Sequence, residues 1–466
     1  GAPVGLPPPV QRALQGSGLP LRSFGVHVQP VDGPGVTASL NAESPYVLAS
    51  TAKVVTALAA LELLGPQYRW RTHAFLEGPL VLGRLQGHLV IAGGGNARLS
   101  SAELLGWMQR MRAQGLHTIA GDILVDRSAF HLHEDDHRHT PVPGDDRPHH
   151  VWPDALSIDQ GQLHVLVQPA RGPRADVRTV PPLAGVTLVN QVAMQGGGCG
   201  AFTQWRTTPA GEHQLVVQGR SAPGCSAQQI LLVPPPDLRH TVLAGAGRGR
   251  WAGGVRDGGV GVVDLPAANP RRARLPLPGR EGEPVLPWST HVSEPLPVLV
   301  REMNKTSNNL AARHLMLSLS RGFPLRPASI DGARQSLQAW LARQGLAPDD
   351  LALDNGSGLS REERGKPRAL VQLLIHGWRS RESRTFVESL PVAGVDGTLQ
   401  HRLTQGAATG RAFLKTGTLR DTRALAGYVR GASGRVYAVA LLVNHPEAAR
   451  ATPALDAVVE WLARQG

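Results

Sequence analysis

PYVLASTAKVVTALAALELLG, residues 45–65, is the stretch whose reading decides the fold. Ser50 and Thr51 can open a helix, the run after Lys53 is apolar on almost every side, and Gly65 ends it. A helix without a polar face belongs inside a domain. Glu62 breaks the run, and no uninterrupted apolar stretch of the chain reaches the length of a membrane span. Before it stand two strand-like runs, SFGVHVQPV and GVTASLN, joined by the turn residues Asp32-Gly33-Pro34-Gly35. At the far end stand ATGRAFLKTGTL, RALAGYVRG and RVYAVALLVN, the last two linked by Gly431-Ala432-Ser433-Gly434. A closing helix, ATPALDAVVEWLARQ, follows. Two strands at the start and three at the end predict one sheet built from both termini.

The texture changes from about Gln67. Short strands lead to an amphipathic helix, SAELLGWMQRMRAQG, and to the strand TIAGDILVDRSAF. A loop dense in His, Asp and Pro runs from His131 to Pro153, and alternating segments from Gln162 to Pro236 suggest a small β unit. Ala244–Pro287 is rich in Gly, Arg and Pro and reads as irregular. Helical patterns return at Leu296–Leu319, Ile330–Gln344 and Arg368–Trp378. At 466 residues the chain is long enough for two or three domains.

The net charge is +12, yet arginines are scattered, aromatics are scarce and no basic helix occurs, which argues against nucleic-acid binding. A diffuse positive field suits carboxylate-rich substrates. The two cysteines, Cys199 and Cys225, read as a local disulfide if the protein is exported. GAPVGLPPPV lacks the basic start and apolar stretch of a signal peptide, so an exported protein is expected here in mature form.

Ser50-Thr51-Ala52-Lys53 is an S-x-x-K element. Positions i and i+3 share a helix face, so the amine can reach the hydroxyl. Serine needs a base, and lysine serves as one only if burial or nearby positive charge lowers its pKa. Alone the element is weak, since a helix cap followed by a surface lysine is the default. Ser307-Asn308-Asn309 is an S-x-N at the head of a helical pattern, and Lys415-Thr416-Gly417 lies in a strand-like run.

The trio in this order resembles that of β-lactamases and penicillin-binding proteins. The stretch from Lys53 to Ser307 is far longer than a β-lactamase uses. Together with AGGGNARLS, GLHTIAGDILVDRSAF, LDNGSGLSREE and LPVAGVDGTLQHRL, it is similar to the D-alanyl-D-alanine carboxypeptidase/endopeptidase group, the class C low-molecular-mass penicillin-binding proteins. The resemblance implies an α+β, multi-domain protein. Its transpeptidase-like domain, a five-stranded antiparallel sheet with flanking helices, would comprise residues 1–66 and 288–466. Two insertion domains would be nested in it, 67–161 with 239–287, and 162–238.

It further implies Ser50 as nucleophile, Lys53 as base and Ser307 as proton relay to the leaving amine. Asn309 would hold a substrate peptide group, Lys415 and Thr416 a terminal carboxylate. Gly417 would admit substrate backbone, and the Thr418 and Ser50 N–H groups would form an oxyanion hole. The substrates implied are peptidoglycan stem peptides, cut at D-Ala-D-Ala or at D-Ala–diaminoacid cross-links, with β-lactams acylating Ser50. No metal or organic cofactor is required. The place is the periplasm or cell envelope, with homodimer or peripheral membrane contact as further options. The rivals are a β-lactamase or esterase of the same superfamily, and a non-catalytic peptidoglycan-binding scaffold.

Asn96 stands where the family usually has Asp, and Asp154 and Asp159 are candidates for an acidic substrate contact from the insertion. Gly356-Ser357-Gly358 reads as a turn or a wall of the cleft, and Gly394-Val395-Asp396-Gly397-Thr398 as a turn supporting it. His131, His133, Asp135, Asp136, His137 and His139 read as a solvated loop rather than a metal site, because their spacing is irregular.

Overall fold

RVYAVALLVN is apolar at nearly every position, which suits a strand covered on both faces. In the computed structural model it forms the middle strand of a five-stranded antiparallel sheet. The structure describes residues 5–133, 136, 151–180, 182–234, 238, 252–253, 262–264 and 285–466. The sheet consists of β1 (Phe24–Pro30), β2 (Ala38–Leu40), β3 (Ala412–Leu419), β4 (Thr422–Arg430) and β5 (Val436–Asn444), in the order β2-β1-β5-β4-β3. Val26 lies opposite Leu441, and Leu425 faces Leu441 from the other side. Both termini therefore build one sheet, with β3 at its edge.

Alternation assigns the faces. Val26, Val28, Leu414, Leu425, Val439 and Leu441 pack with Val10 and Leu14 of the Pro8–Gln15 helix and with Leu455, Val458 and Leu462 of the Thr452–Ala463 helix. On the opposite face the Pro367–Arg379 helix crosses, and the Tyr428 hydroxyl donates to the Leu374 carbonyl at 2.6 Å. A Cβ on Gly377 would meet Leu58 at 2.8 Å, so the Pro367–Arg379 and Ala52–Leu63 helices touch at a glycine. Residues Ala52 to Leu61 are all buried, as expected of a helix lacking a polar face.

The chain divides into two compact units. The one carrying this sheet is Gly1–Arg69, Leu132–Thr140 and Glu294–Gly466; the other is Trp70–His131 and Pro141–Ser293. The second unit contains another five-stranded sheet. Its strands, in order, are Val262–Asp264, Ile123–Asp126, His88–Ala92, Arg71–Glu77 and Ser289–Val292. The Ser101–Ala113 helix is capped by Ser100, whose hydroxyl accepts from the Glu103 N–H at 3.1 Å. Leu104, Trp107 and Met108 of this helix pack with Leu89, Ile91 and Ile123. A separate apolar cluster joins Leu163, Val165, Val192, Leu215 and Val217, and near it Cys199 and Cys225 are bonded.

Two local expectations change. Leu296–Leu319 reads as one helical pattern, but the structure breaks it into Leu296–Thr306 and Asn309–Ser318. Ser307 adopts the left-handed conformation (φ 59°, ψ 48°), and Asn308 caps the second helix by accepting from the Ala311 N–H at 2.9 Å. Apolar periodicity does not reveal such a break, because both halves bury the same kind of residue. Ala244–Pro287 lies mostly outside the described residues. Within it Val262–Asp264 pairs in parallel with Ile123–Asp126, and Ala252–Gly253 pairs with Thr118–Ile119, so these pieces are strands rather than irregular chain.

Candidate active site

The segment before Lys53 does not cap its helix. Ala49–Thr51 is a 3₁₀ turn with Ala49 at φ 49°, and no side chain caps the Ala52–Leu63 helix. The Thr51 hydroxyl instead donates to the Leu48 carbonyl at 2.6 Å. The Ser50 hydroxyl is thereby left for the lysine one turn on.

Lys53 is fully buried, and its Nζ has three partners. They are Ser50 Oγ at 2.7 Å, Asn309 Oδ1 at 2.8 Å and the Ser357 carbonyl at 2.6 Å. Burial lowers the Lys53 pKa well below 10.5, nearby Lys415 lowers it further, and Glu363 works in the opposite direction. A neutral amine has two N–H groups and one lone pair. The two carbonyl-type oxygens accept the two N–H groups, and the lone pair then faces the Ser50 O–H.

Lys415 is also fully buried, on the face of β3 opposite Leu414. Its Nζ donates to Ser307 Oγ at 3.1 Å and to the Thr416 carbonyl at 2.8 Å, and burial brings its pKa down to about 7. Gly417 lies against the serine turn. A Cβ there would stand 3.1 Å from both Ala49 Cβ and the Ser50 nitrogen. Thr416 is half-buried, its hydroxyl 2.6 Å from that of Thr398, and Thr418 is exposed at the end of the edge strand. Ser50, Lys53, Ser307, Asn309, Lys415 and Gly417 thus meet in one place, with Thr416 and Thr418 continuing along β3.

Two loops frame this place. Lys305 donates to both oxygens of Asp396 at 2.8 Å and to the Leu390 carbonyl at 2.6 Å, which fixes the turn carrying Thr398. The Asp354–Gly358 loop is gathered by Glu363, a buried side chain to which sequence reasoning gave no role. Its carboxylate accepts from the N–H groups of Asp354 (3.2 Å), Gly356 (2.9 Å) and Gly358 (2.7 Å). Gly358 has φ +90°, and a Cβ there would fall 2.0 Å from the Ala49 carbonyl oxygen, so the loop and the serine turn touch through glycine. The acidic residues after GSGLS were the one available signal, and nothing in the sequence shows which of Glu362 and Glu363 points inward.

The remaining candidates have structural partners. Arg127 pairs with Asp154 at 3.1 Å, and Asp154 also accepts from the Leu156 N–H. Asp159 accepts from the Ser101 N–H at 2.9 Å, at the start of a helix. Asn96 accepts from the Arg98 N–H at 2.8 Å. Of the histidine cluster, Asp135, His137 and His139 lie outside the described residues, and Asp136 accepts from the His133 N–H at 2.7 Å. Among the described residues no group of three or more His, Cys, Asp or Glu side chains could hold a metal ion.

A serine hydroxyl on a buried amine, beside a second serine–lysine pair that joins a helix break to an edge strand, defines a serine hydrolase of the penicillin-binding class. The chain belongs to the D-Ala-D-Ala carboxypeptidase 3 (S13) family, whose sequence profile matches residues 9–235 and 280–465. It is a serine-type D-Ala-D-Ala peptidase. The chain is 25% identical over 422 residues to D-alanyl-D-alanine carboxypeptidase DacB of Haemophilus influenzae, covering 88% of this chain and 82% of that one. It is 29% identical over 413 residues to the D-alanyl-D-alanine carboxypeptidase of an Actinomadura species, covering 83% and 71%. The crystal structure of penicillin binding protein 4 from Haemophilus influenzae superposes with a TM-score of 0.75 at 22% identity, over 98% of this chain and 99% of that one. A predatory endopeptidase of Bdellovibrio bacteriovorus shares the fold with a TM-score of 0.53 at 16% identity, over 94% and 92%. Among the described residues no helix is long and apolar enough to cross a membrane.

Proposed function

We propose that Ser50 is the nucleophile and Lys53 its base in the cleavage of peptidoglycan stem peptides at D-Ala-D-Ala and at D-Ala–diaminoacid cross-links. The carrying observation is the set of partners around Lys53 Nζ, two oxygen acceptors and one hydroxyl, on an amine whose pKa burial lowers well below the ordinary lysine value.

Lys53 takes the Ser50 proton as Ser50 Oγ bonds to the carbonyl carbon of the penultimate D-Ala. The Ser50 and Thr418 N–H groups hold the oxyanion. The carbon–nitrogen bond then breaks, and the amine departs with the proton that Lys53 took, passed on through Ser307, which Lys415 orients, so that Lys53 is neutral again. Water attacks the ester, Lys53 takes its proton and hands it to the departing Ser50 oxygen, and Ser50 is regenerated. Asn309 holds the acyl-side peptide group, and Lys415 and Thr416 face the terminal carboxylate. Burial brings the Lys415 pKa to about 7, and an arriving carboxylate favours its protonated form.

β-Lactams acylate Ser50 by the same path, and no metal or organic cofactor enters it. The disulfide supports an exported protein of the periplasm or cell envelope. That residues 163–232 of the second unit pack into an apolar cluster of their own, apart from those built on 74–158, supports reading it as two nested domains, 67–161 with 239–287, and 162–238. A homodimer or a membrane contact is not part of this reading.

Incubation with monomeric pentapeptide and cross-linked muropeptides, followed by product analysis, tests it. Release of D-Ala, scission of the cross-link, or both is expected, and neither from Ser50→Ala. Unchanged products from Ser50→Ala would overturn the assignment.

A further inference from the structure

Glu363 has no exposed surface, lies outside the S-x-x-K, S-x-N and K-T-G elements, and touches three amides of a single loop. Three N–H donors converging on one carboxylate are what hold an ionised group inside a protein. The loop they gather is one that could not easily close unaided. Gly356 and Gly358 both have positive φ, and the Ser357 N–H and hydroxyl both turn back onto Asn355 Oδ1, at 3.0 and 2.6 Å. What this conformation presents is the Ser357 carbonyl, at 2.6 Å from Lys53 Nζ. That bond consumes one of the two N–H groups of the neutral amine and so helps turn its lone pair toward Ser50.

We propose that Glu363 is a positioning residue for acyl transfer: its buried carboxylate clamps the loop that aims Lys53, and its charge acts as the counter-ion that tunes the proton affinity of that lysine. The inference rests on the reading of Lys53 as the base.

The charged groups that face this cluster are few and come from separate elements. Lys53 lies on the Ala52–Leu63 helix, Lys415 on β3 and Arg313, fully buried, on the Asn309–Ser318 helix. Behind the loop, Arg334 binds the Asp354 carboxylate and the Asp354 carbonyl. Four basic side chains thus lie near Glu363, with the Asp354 carboxylate held by Arg334 and Asp136 acting on Arg313. Lys415 makes Lys53 easier to deprotonate, and Glu363 makes it harder. Burial pushes the Glu363 carboxyl up to about 7, while its amide bonds and Lys53 hold it down.

The sign of the test follows. Removing the negative charge disfavours protonated Lys53, so the fraction of active, neutral lysine persists to lower pH. The test is the rate of Ser50 acylation by a labelled penicillin, measured against pH in the full-length protein. Glu363→Gln is expected to move the acid limb down by about one pH unit. It should also slow acylation at least about tenfold on the plateau, because the amide cannot accept from all three N–H groups. Glu363→Asp keeps the charge but shortens the arm, so the plateau falls while the limb stays.

A folded Glu363→Gln protein with an unmoved limb would overturn the proposal, since a purely structural role lowers thermal stability without moving a limb. Should Glu363→Gln fail to fold, Glu363→Asp at the wild-type rate would overturn it equally. Ser50→Ala separates the two levels. A persisting adduct there would remove the nucleophile assignment, whereas a lost adduct together with an unmoved limb in Glu363→Gln would remove only the role of Glu363.

Discussion

Two buried lysines in the same unit, Lys53 and Lys305, have been given opposite partners. Lys305 binds both oxygens of a carboxylate, Asp396, and one carbonyl. Lys53 binds a hydroxyl, an amide oxygen and a carbonyl, while the Glu363 carboxylate is turned toward a loop. Burial lowers the pKa of both; at Lys305 a direct Asp396 hydrogen bond opposes the shift and Arg301 adds to it, while at Lys53 Lys415 adds to it and Glu363, with no direct contact, opposes it. The less deeply buried amine is thus held in an ion pair, whereas the fully buried one meets only neutral oxygen partners, as the proposed proton acceptor requires.

The largest difference should appear on removing one amine and the other's carboxylate partner. Lys53→Met is expected to slow penicillin acylation about 10³-fold, within the span usual for loss of a general base, while stability holds or rises. Asp396→Ala, which leaves Lys305 only the Leu390 carbonyl, should instead lower stability by about 1.5 kcal/mol, read as a fall in the denaturation midpoint. If Asp396→Ala left stability unchanged, the contrast between the two lysines would dissolve.

A smaller effect probes the contact between β3 and the serine turn. Gly417→Ala places a methyl 3.1 Å from the Ser50 nitrogen, so neighbours must yield by a few tenths of an ångström. About a tenfold loss in acylation rate is expected, with little change in melting temperature. A wild-type rate would show that this contact does not position Ser50.

The smallest effect is on stability through Lys415. Its pKa is about 7 in the folded protein, against 10.5 ordinarily. Between those values the unfolded chain binds more protons, so this residue makes stability rise with pH through that window. Lys415→Met removes the cost of burying the charge. A gain of about 1 kcal/mol is expected at pH 7 and below, shrinking toward pH 10.5, in denaturant titrations at several pH values. A gain that grew with pH would contradict the lowered pKa.

The contrast also marks what the sequence could reveal. Apolar patterning at both termini was sufficient for the five-stranded sheet, because β5 buries both faces and shows it residue by residue. The three short motifs named the side chains that meet around Ser50, since each places its residues by local geometry alone. Glu363 was not legible in that way. Its function comes from three backbone amides brought in by two glycines at positive φ, and no periodicity encodes that convergence. The break at Ser307 was hidden for a related reason, as one left-handed residue leaves the hydrophobic pattern on either side intact. Lys305 and Asp396 sit 91 positions apart, and only the folded chain shows that they neutralise each other.

The most direct test of Lys53 as a base is the rate of Ser50 acylation by labelled penicillin between pH 5 and about pH 11, with the adduct located by mass spectrometry. The account predicts an adduct on Ser50 and a rate that rises with pH to a plateau well below the ordinary lysine range near 10.4. An adduct elsewhere, or a rate still climbing at the top of that range, would contradict it.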